Sequence, residues 1–157
     1  MAAGVRPNSQ LAKDAELELN KRGGIIVNKQ LQTSNPNIYA IGDAIEVNDI
    51  ALNTPAMIPL AGPANKQGRI AADNVFGKNI EYKGSLGTSI CKIFETTAAA
   101  TGASEKRLKQ QGLEYQKFYI APNSHASYYP DSHILFIKIL FDKLGKILGA
   151  QVIGNDG

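Results

Sequence analysis

The chain has 157 residues, 43% of them hydrophobic, 20% charged and 7% aromatic, which suits one globular domain or one and a half small ones and excludes disordered, collagen-like and coiled-coil chains. Lys and Arg number 17 against 14 Asp and Glu, a net charge of +3 spread along the chain, so no basic stripe points to nucleic acid. One cysteine cannot staple the chain internally, no apolar run is long enough for a bilayer, and residues 1–8 lack the pattern of an export signal. The expectation is a reducing, cytoplasmic setting with no membrane partner.

In chain order, Lys21-Arg22-Gly23-Gly24 reads as a turn and Ile25-Ile26-Val27 as a short, half-buried strand. A second turn cluster, Thr33-Ser34-Asn35-Pro36-Asn37, precedes Ile38-Tyr39-Ala40-Ile41, an apolar run that predicts a buried strand stopping at Gly42-Asp43. A helix begins at Gly62-Pro63, where proline suits the first helical position; Ala64, Ile70, Ala71 and Val75 form its apolar face and Gly77 ends it. The turn residues Gly77-Lys78-Asn79 predict a domain boundary, giving residues 1–79 and 80–157.

The second part reads as strand-rich. Residues 89–94 and 96–101 predict strands, Ser104 caps a helix that Gly112 ends, and residues 114–120, 133–141 and 147–153 predict three more strands. The last two are joined by the turn Asp142-Lys143-Leu144-Gly145. The fold class expected is α+β, with a mainly antiparallel sheet in this part.

Asp43 follows a glycine at the end of an apolar run, where backbone can approach a ligand and a carboxylate can accept hydrogen bonds from ligand hydroxyls. Position alone also fits a solvated turn aspartate or a helix cap. The wider spacing resembles the FAD-dependent pyridine nucleotide-disulfide oxidoreductases: Thr33, a short spacer, Ile38-Tyr39-Ala40-Ile41 and then Gly42-Asp43-Ala44 look like that family's second flavin motif. Gly4-Val5-Arg6-Pro7-Asn8 looks like the exit from its NAD domain, leaving residues 1–10 as that domain's end. Pro59-Leu60-Ala61-Gly62-Pro63-Ala64 looks like the start of the helix beneath the flavin.

The resemblance implies that residues 1–79 are the C-terminal part of an FAD-binding domain. Asp43 would accept a hydrogen bond from the flavin ribityl chain. Gly42, Ala61 and Gly62 would complete this part of the cofactor site, with the helix start aimed at the flavin's electron-rich edge. Unpaired N–H groups at a helix start favour negative charge developing there.

Gly84-Ser85-Leu86-Gly87-Thr88-Ser89 and Ile147-Leu148-Gly149-Ala150-Gln151 look like the dimerisation domain of the family's single-cysteine branch, which holds coenzyme A-disulfide reductases, NADH oxidases and NADH peroxidases. Within it, His125-Ala126-Ser127-Tyr128-Tyr129-Pro130 looks like the coenzyme A-disulfide reductase type, in which a tyrosine reaches the partner subunit's site beside the reactive cysteine. The family pattern tends to continue with Gly-Ala, where this chain has Asp131-Ser132. In an extended segment Tyr128 and Tyr129 point to opposite faces, so one can serve the site while the other packs in the sheet. Tyr128 is the favoured catalytic candidate and Tyr129 the second; an interface rim is the alternative role for Tyr128. A hydroxyl there can donate to a thiolate or a leaving sulfur.

Cys91, between Ile90 and Ile93, is expected to be a buried small hydrophobe rather than a redox group, and His125 a loop residue. The family's redox cysteine and its Gly-x-Gly-x-x-Gly lie in a segment not found in these residues. The resemblance thus implies a C-terminal fragment of a homodimeric enzyme that uses FAD and NAD(P)H to reduce coenzyme A disulfide. The fragment alone would be inactive and bind no cofactor, and no metal is expected. Alternatives are an NADH oxidase or peroxidase, a polysulfide reductase, or a cofactor-free dimerisation module.

Overall fold

The computed structural model describes residues 4–155. They fall into two compact units that divide between Ser85 and Leu86.

The first unit holds helix α1 (Gln10–Asp14), strands β1 (Ile25–Ile26), β2 (Ile45–Asp49) and β3 (Thr54–Ala56), and helix α2 (Ala61–Val75). The strands form one sheet in that order, β1 parallel to β2 and β2 antiparallel to β3. In β2, Ile45, Val47 and Asp49 face inward while Glu46 and Asn48 do not, the alternation of a half-buried strand. Ile45 and Val47 form the core with Leu31, Ile70, Ala71 and Tyr82.

The buried strand expected over residues 38–41 is not formed. That segment folds back on residues 31–33, with the Thr33 N–H donating to the Ile38 carbonyl and the Ala40 N–H to the Leu31 carbonyl, and both Ile38 and Ile41 are exposed. The strand follows Gly42-Asp43 instead of preceding it, because the alternating Ile45-Glu46-Val47-Asn48 fits a one-sided sheet better than a continuous apolar run of four.

Helix α2 starts at Ala61, which puts Pro63 third in the first turn and not first. Its buried face is Gln67, Ile70, Ala71 and Asn74, whereas Val75, expected inside, is 61% exposed. Asn74 sets that rotation. Its carboxamide donates to the Gln30 and Ile80 carbonyls at 2.9 and 2.8 Å and accepts the Ile80 N–H at 2.5 Å. The chain past the Gly77 turn is thereby drawn back onto the unit, where the Tyr82 N–H meets the Lys29 carbonyl and Ser85 pairs with the β2 edge at Asn48. The unit accordingly continues beyond the turn cluster at residues 77–79.

The second unit is a five-stranded sheet, all antiparallel, built from β4 (Ser89–Ile93), β5 (Thr96–Gly102), β6 (Gln116–Ile120), β7 (Phe136–Phe141) and β8 (Ile147–Gly154) in the order β4-β5-β8-β7-β6. Helix α3 (Glu105–Gln110) joins β5 to β6. It is capped by Ser104 Oγ, which accepts the Arg107 N–H, and it buries Leu108 before Gly112 turns the chain at φ 65°. The β7–β8 turn closes where expected: Asp142 Oδ1 accepts the Leu144 and Lys146 N–H groups, and Gly145 takes φ 82°. The fold is thus α+β with an antiparallel sheet in its second part, as its sequence pattern predicts. Among the described residues no helix is long and apolar enough to cross a membrane.

Candidate functional site

Gly42, Asp43 and Ala44 form a single 3-10 turn between the 31–41 loop and β2. Gly42 takes φ 81°, in the left-handed region where a side chain is strained, and an added Cβ would meet nothing within 4 Å, so its outer face is open to an approaching molecule. Asp43 is exposed and, with Ala44, lines an open cleft of about 910 Å³ together with Gly4, Arg6, Lys21, Arg22 and Met57. A carboxylate there can accept from hydroxyls, and the three basic side chains suit a ligand that also carries negative charge.

The turn is held from beneath. Gln67, 1% exposed on α2, accepts the Gly42 N–H on its Oε1 at 2.7 Å. The Ile45 N–H meets the Gly42 carbonyl. Six residues before Gln67, α2 begins at exposed Ala61 and Gly62 with no side-chain cap and no acidic residue in its first turn. Its first N–H groups lack partners within the helix, so this end carries unneutralised partial positive charge. Gln67 was not singled out from sequence, although a signal exists: a glutamine three and four residues before Ile70 and Ala71 falls on the inward stripe of a helix.

In the second unit Tyr128 and Tyr129 lie in a turn, where the Tyr129 N–H donates to the Ala126 carbonyl. The segment is not extended, so the rings do not diverge. Their centroids are 5.2 Å apart, and the Tyr129 and His125 rings stand nearly perpendicular with centroids 6.2 Å apart. Tyr128 is 84% exposed and Tyr129 60%. His125 contacts its own loop through both ring nitrogens, Nδ1 with Ser124 Oγ and Nε2 with the Pro130 carbonyl, each at 3.1 Å. Asp131 stands at φ 59°, the left-handed region that glycine favours and aspartate tolerates. The Asp131-Ser132 departure from Gly-Ala therefore occupies a position whose backbone suits glycine.

Cys91 is exposed, contrary to the buried role expected of it. Every residue of β4 is exposed, because the strand is an edge of the sheet. In register it shares a face with Ala98, Ile153, Phe136 and Lys138, and these line one open apolar hollow. Elsewhere in the unit Glu105 of α3 receives Lys117 at 2.8 Å, Lys138 at 2.6 Å and the Tyr115 hydroxyl at 3.0 Å. These donors, led by Lys117, hold its carboxyl at about 2 against burial that opposes them, and Glu105 in turn raises the Lys117 ammonium. No described His, Cys, Asp and Glu residues cluster as a metal site.

Residues 1–68 match the pyridine nucleotide-disulphide oxidoreductase model and residues 88–157 the model of that family's dimerisation domain. The chain belongs to the pyridine nucleotide-disulphide oxidoreductases, and its second unit carries their dimerisation domain. It is 35% identical over 157 residues to the NAD(P)H sulfur oxidoreductase (CoA-dependent) of Pyrococcus furiosus, covering 99% of this chain and 36% of that protein. Over 156 residues it is 36% identical to coenzyme A disulfide reductase of Staphylococcus aureus, covering 98% of this chain and 35% of that one. Among solved structures, the reduced CoADR-RHD of Bacillus anthracis superposes with a TM-score of 0.94 at 53% identity, over 98% of this chain and 28% of that one. The chain therefore spans about a third of the length of the curated relatives it matches.

Proposed function

We propose that this chain is the C-terminal part of an FAD-dependent NAD(P)H:disulfide oxidoreductase, that it supplies one side of the flavin site and the dimer face, and that the whole enzyme reduces coenzyme A disulfide. The observation that carries the flavin assignment is the Gly42-Asp43 turn, open above and fixed below, on a cleft that presents a carboxylate and three basic side chains. The residues fit the group. Asp43 would accept from the ribityl hydroxyls, Gly42 would let the backbone come close, and the Ala61 and Gly62 N–H groups would favour negative charge on the ring edge. FAD, when bound, supplies the two-electron chemistry between nicotinamide and sulfur. The balance is one NAD(P)H and one proton per disulfide, giving two thiols and the oxidised nicotinamide.

Tyr128 would act from across a two-fold dimer, its hydroxyl donating to the thiolate that leaves when the disulfide is cut, with Tyr129 as the second candidate. A homodimer is supported by the match to a dimerisation domain and by the exposed Ile90, Phe118 and Ile120 on one face of the sheet. The coenzyme A-disulfide relative supports the substrate, and the named sulfur oxidoreductase supports a sulfur substrate, polysulfide among them, as a second reading.

The test uses the full-length protein. Asp43→Ala should weaken FAD binding by about 1.5–3 kcal/mol, roughly ten- to a hundredfold, while Asp131→Ala leaves it unchanged. Equal flavin content in the two variants would remove Asp43 from the site. A panel of coenzyme A disulfide, polysulfide, oxygen and peroxide then separates the substrates, and faster turnover of oxygen or peroxide than of either sulfur substrate would overturn the disulfide assignment.

A further inference from the structure

We infer that Gln67 is the positioning residue of the flavin site, fixing Asp43 and the amino end of α2 as one rigid unit; this rests on the FAD reading above. A glutamine at an inward helix position must be desolvated, and leucine would fill similar space with no polar group to satisfy. Gln67 is nonetheless almost fully buried, and its acceptor is spent on the N–H of Gly42, the residue immediately before Asp43. On its other side Gly42 gives its carbonyl to the Ile45 N–H at the head of β2. Asp43 thus lies between two anchors, one on the helix and one on the sheet.

The helix sets the separation between the two polar parts of the site. Gln67 is six residues from Ala61, about 9 Å along the axis at 1.5 Å per residue, so the point that holds Gly42 and the exposed N–H groups of the first turn move together. Without the bond, Gly42, which has no side chain and sits at φ 81°, is free to leave the left-handed region and carry the Asp43 carboxylate with it. Gln67 touches no ligand in this scheme and acts only through Gly42 and Asp43.

The experiment is a double-mutant cycle on the full-length protein stripped of flavin, with FAD itself as the titrant. Gln67→Met keeps the length of the side chain and removes the acceptor; it should weaken FAD roughly tenfold and shift the visible absorption of the bound flavin. In an Asp43→Ala background the same substitution should change affinity by less than about twofold, since coupled residues do not add. Full additivity, or an unchanged Gln67→Met, would overturn the positioning role while leaving Asp43 in the site. If Asp43→Ala alone leaves FAD affinity unchanged, the flavin reading itself fails and this inference with it. If Gln67→Met does not fold, hydrogen exchange at the Gly42 amide of the flavin-free parent decides: protection supports the bond, and exchange at the rate of an exposed loop amide overturns it.

Discussion

Among the described residues of the first unit four polar side chains, Thr33, Asp49, Gln67 and Asn74, are buried, and each is tied to backbone that its short strands leave unpaired. In the second unit the described side chains that are buried are small or aliphatic, Ala103, Leu108, Leu140 and Leu148, and the backbone is satisfied by long antiparallel ladders. A unit with strands of two, five and three residues cannot close its hydrogen bonds by pairing alone, so side chains finish the work. This gives it fixed points such as Gly42. The five-stranded unit needs few such ties and leaves Ile90, Phe118 and Ile120 exposed on one face of its sheet instead, a surface suited to burial against another molecule.

The contrast can be broken by substitutions of each kind. The largest effect is expected at Gly149, where an added Cβ would lie 2.1 Å from the Ala103 carbonyl oxygen. Gly149→Ala forces β8 away from residue 103, and chemical denaturation should show a loss of about 3 kcal/mol, confined to the second unit. Asn74→Ala is its counterpart in the first unit. It strips partners from Gln30 and Ile80 and should cost about 2–3 kcal/mol there, whereas Lys78→Ala, which removes the exposed pair with Asp73, should stay within about 0.5 kcal/mol. If Asn74→Ala costs no more than Lys78→Ala, buried polar ties do not hold the first unit.

The proposed function divides along the same line. Tyr128→Phe in the full-length enzyme should slow disulfide turnover roughly ten- to a hundredfold and leave flavin reduction by NAD(P)H nearly unchanged, with Tyr129→Phe doing less. Rapid-mixing measurement of the two half-reactions separates these steps, and slowed flavin reduction with normal disulfide turnover would refute the assignment.

The smallest effect concerns the charged clasp around Glu105 in the second unit. Glu105 is held at about 2 by Lys117 and Lys138, below its ordinary 4.5. A lowered carboxyl means that its contribution is complete above about 4.5 and fades as pH falls toward 2. Glu105→Gln should therefore be less stable than the parent at neutral pH, and acid titrations of the two proteins should converge as pH falls through that window. A gap that stays constant to pH 2 would show that the lysines do not act through the carboxylate's charge.

Much of the second unit was legible because its signals are local. Ser104 as a cap, Gly112 as a stop, the Asp142–Gly145 turn and the apolar strand runs each depend on neighbours within a few residues. The first unit was harder for the opposite reason. Ile38-Tyr39-Ala40-Ile41 has the composition of a strand, yet it folds onto residues 31–33, and the true strand starts at Ile45 once Gly42 has turned. Cys91 read as buried because its neighbours are apolar, but β4 is an edge strand of the sheet and buries none of its five residues.

By itself the sequence determined the α+β class, the motif that ends in Gly42-Asp43-Ala44, the helix behind it and the strand-rich second part, since periodicity, capping and turn chemistry act over short stretches of chain. Only the tertiary structure decided that Gln67 and Asn74, not Val75, face inward on α2, and that Gly42 rests on a side chain 25 residues away. It also decided that the rings of Tyr128 and Tyr129 meet at a tilt of 37° instead of pointing apart. Those outcomes depend on which backbone groups remain unpaired after the strands have formed, a quantity that no local window of residues contains.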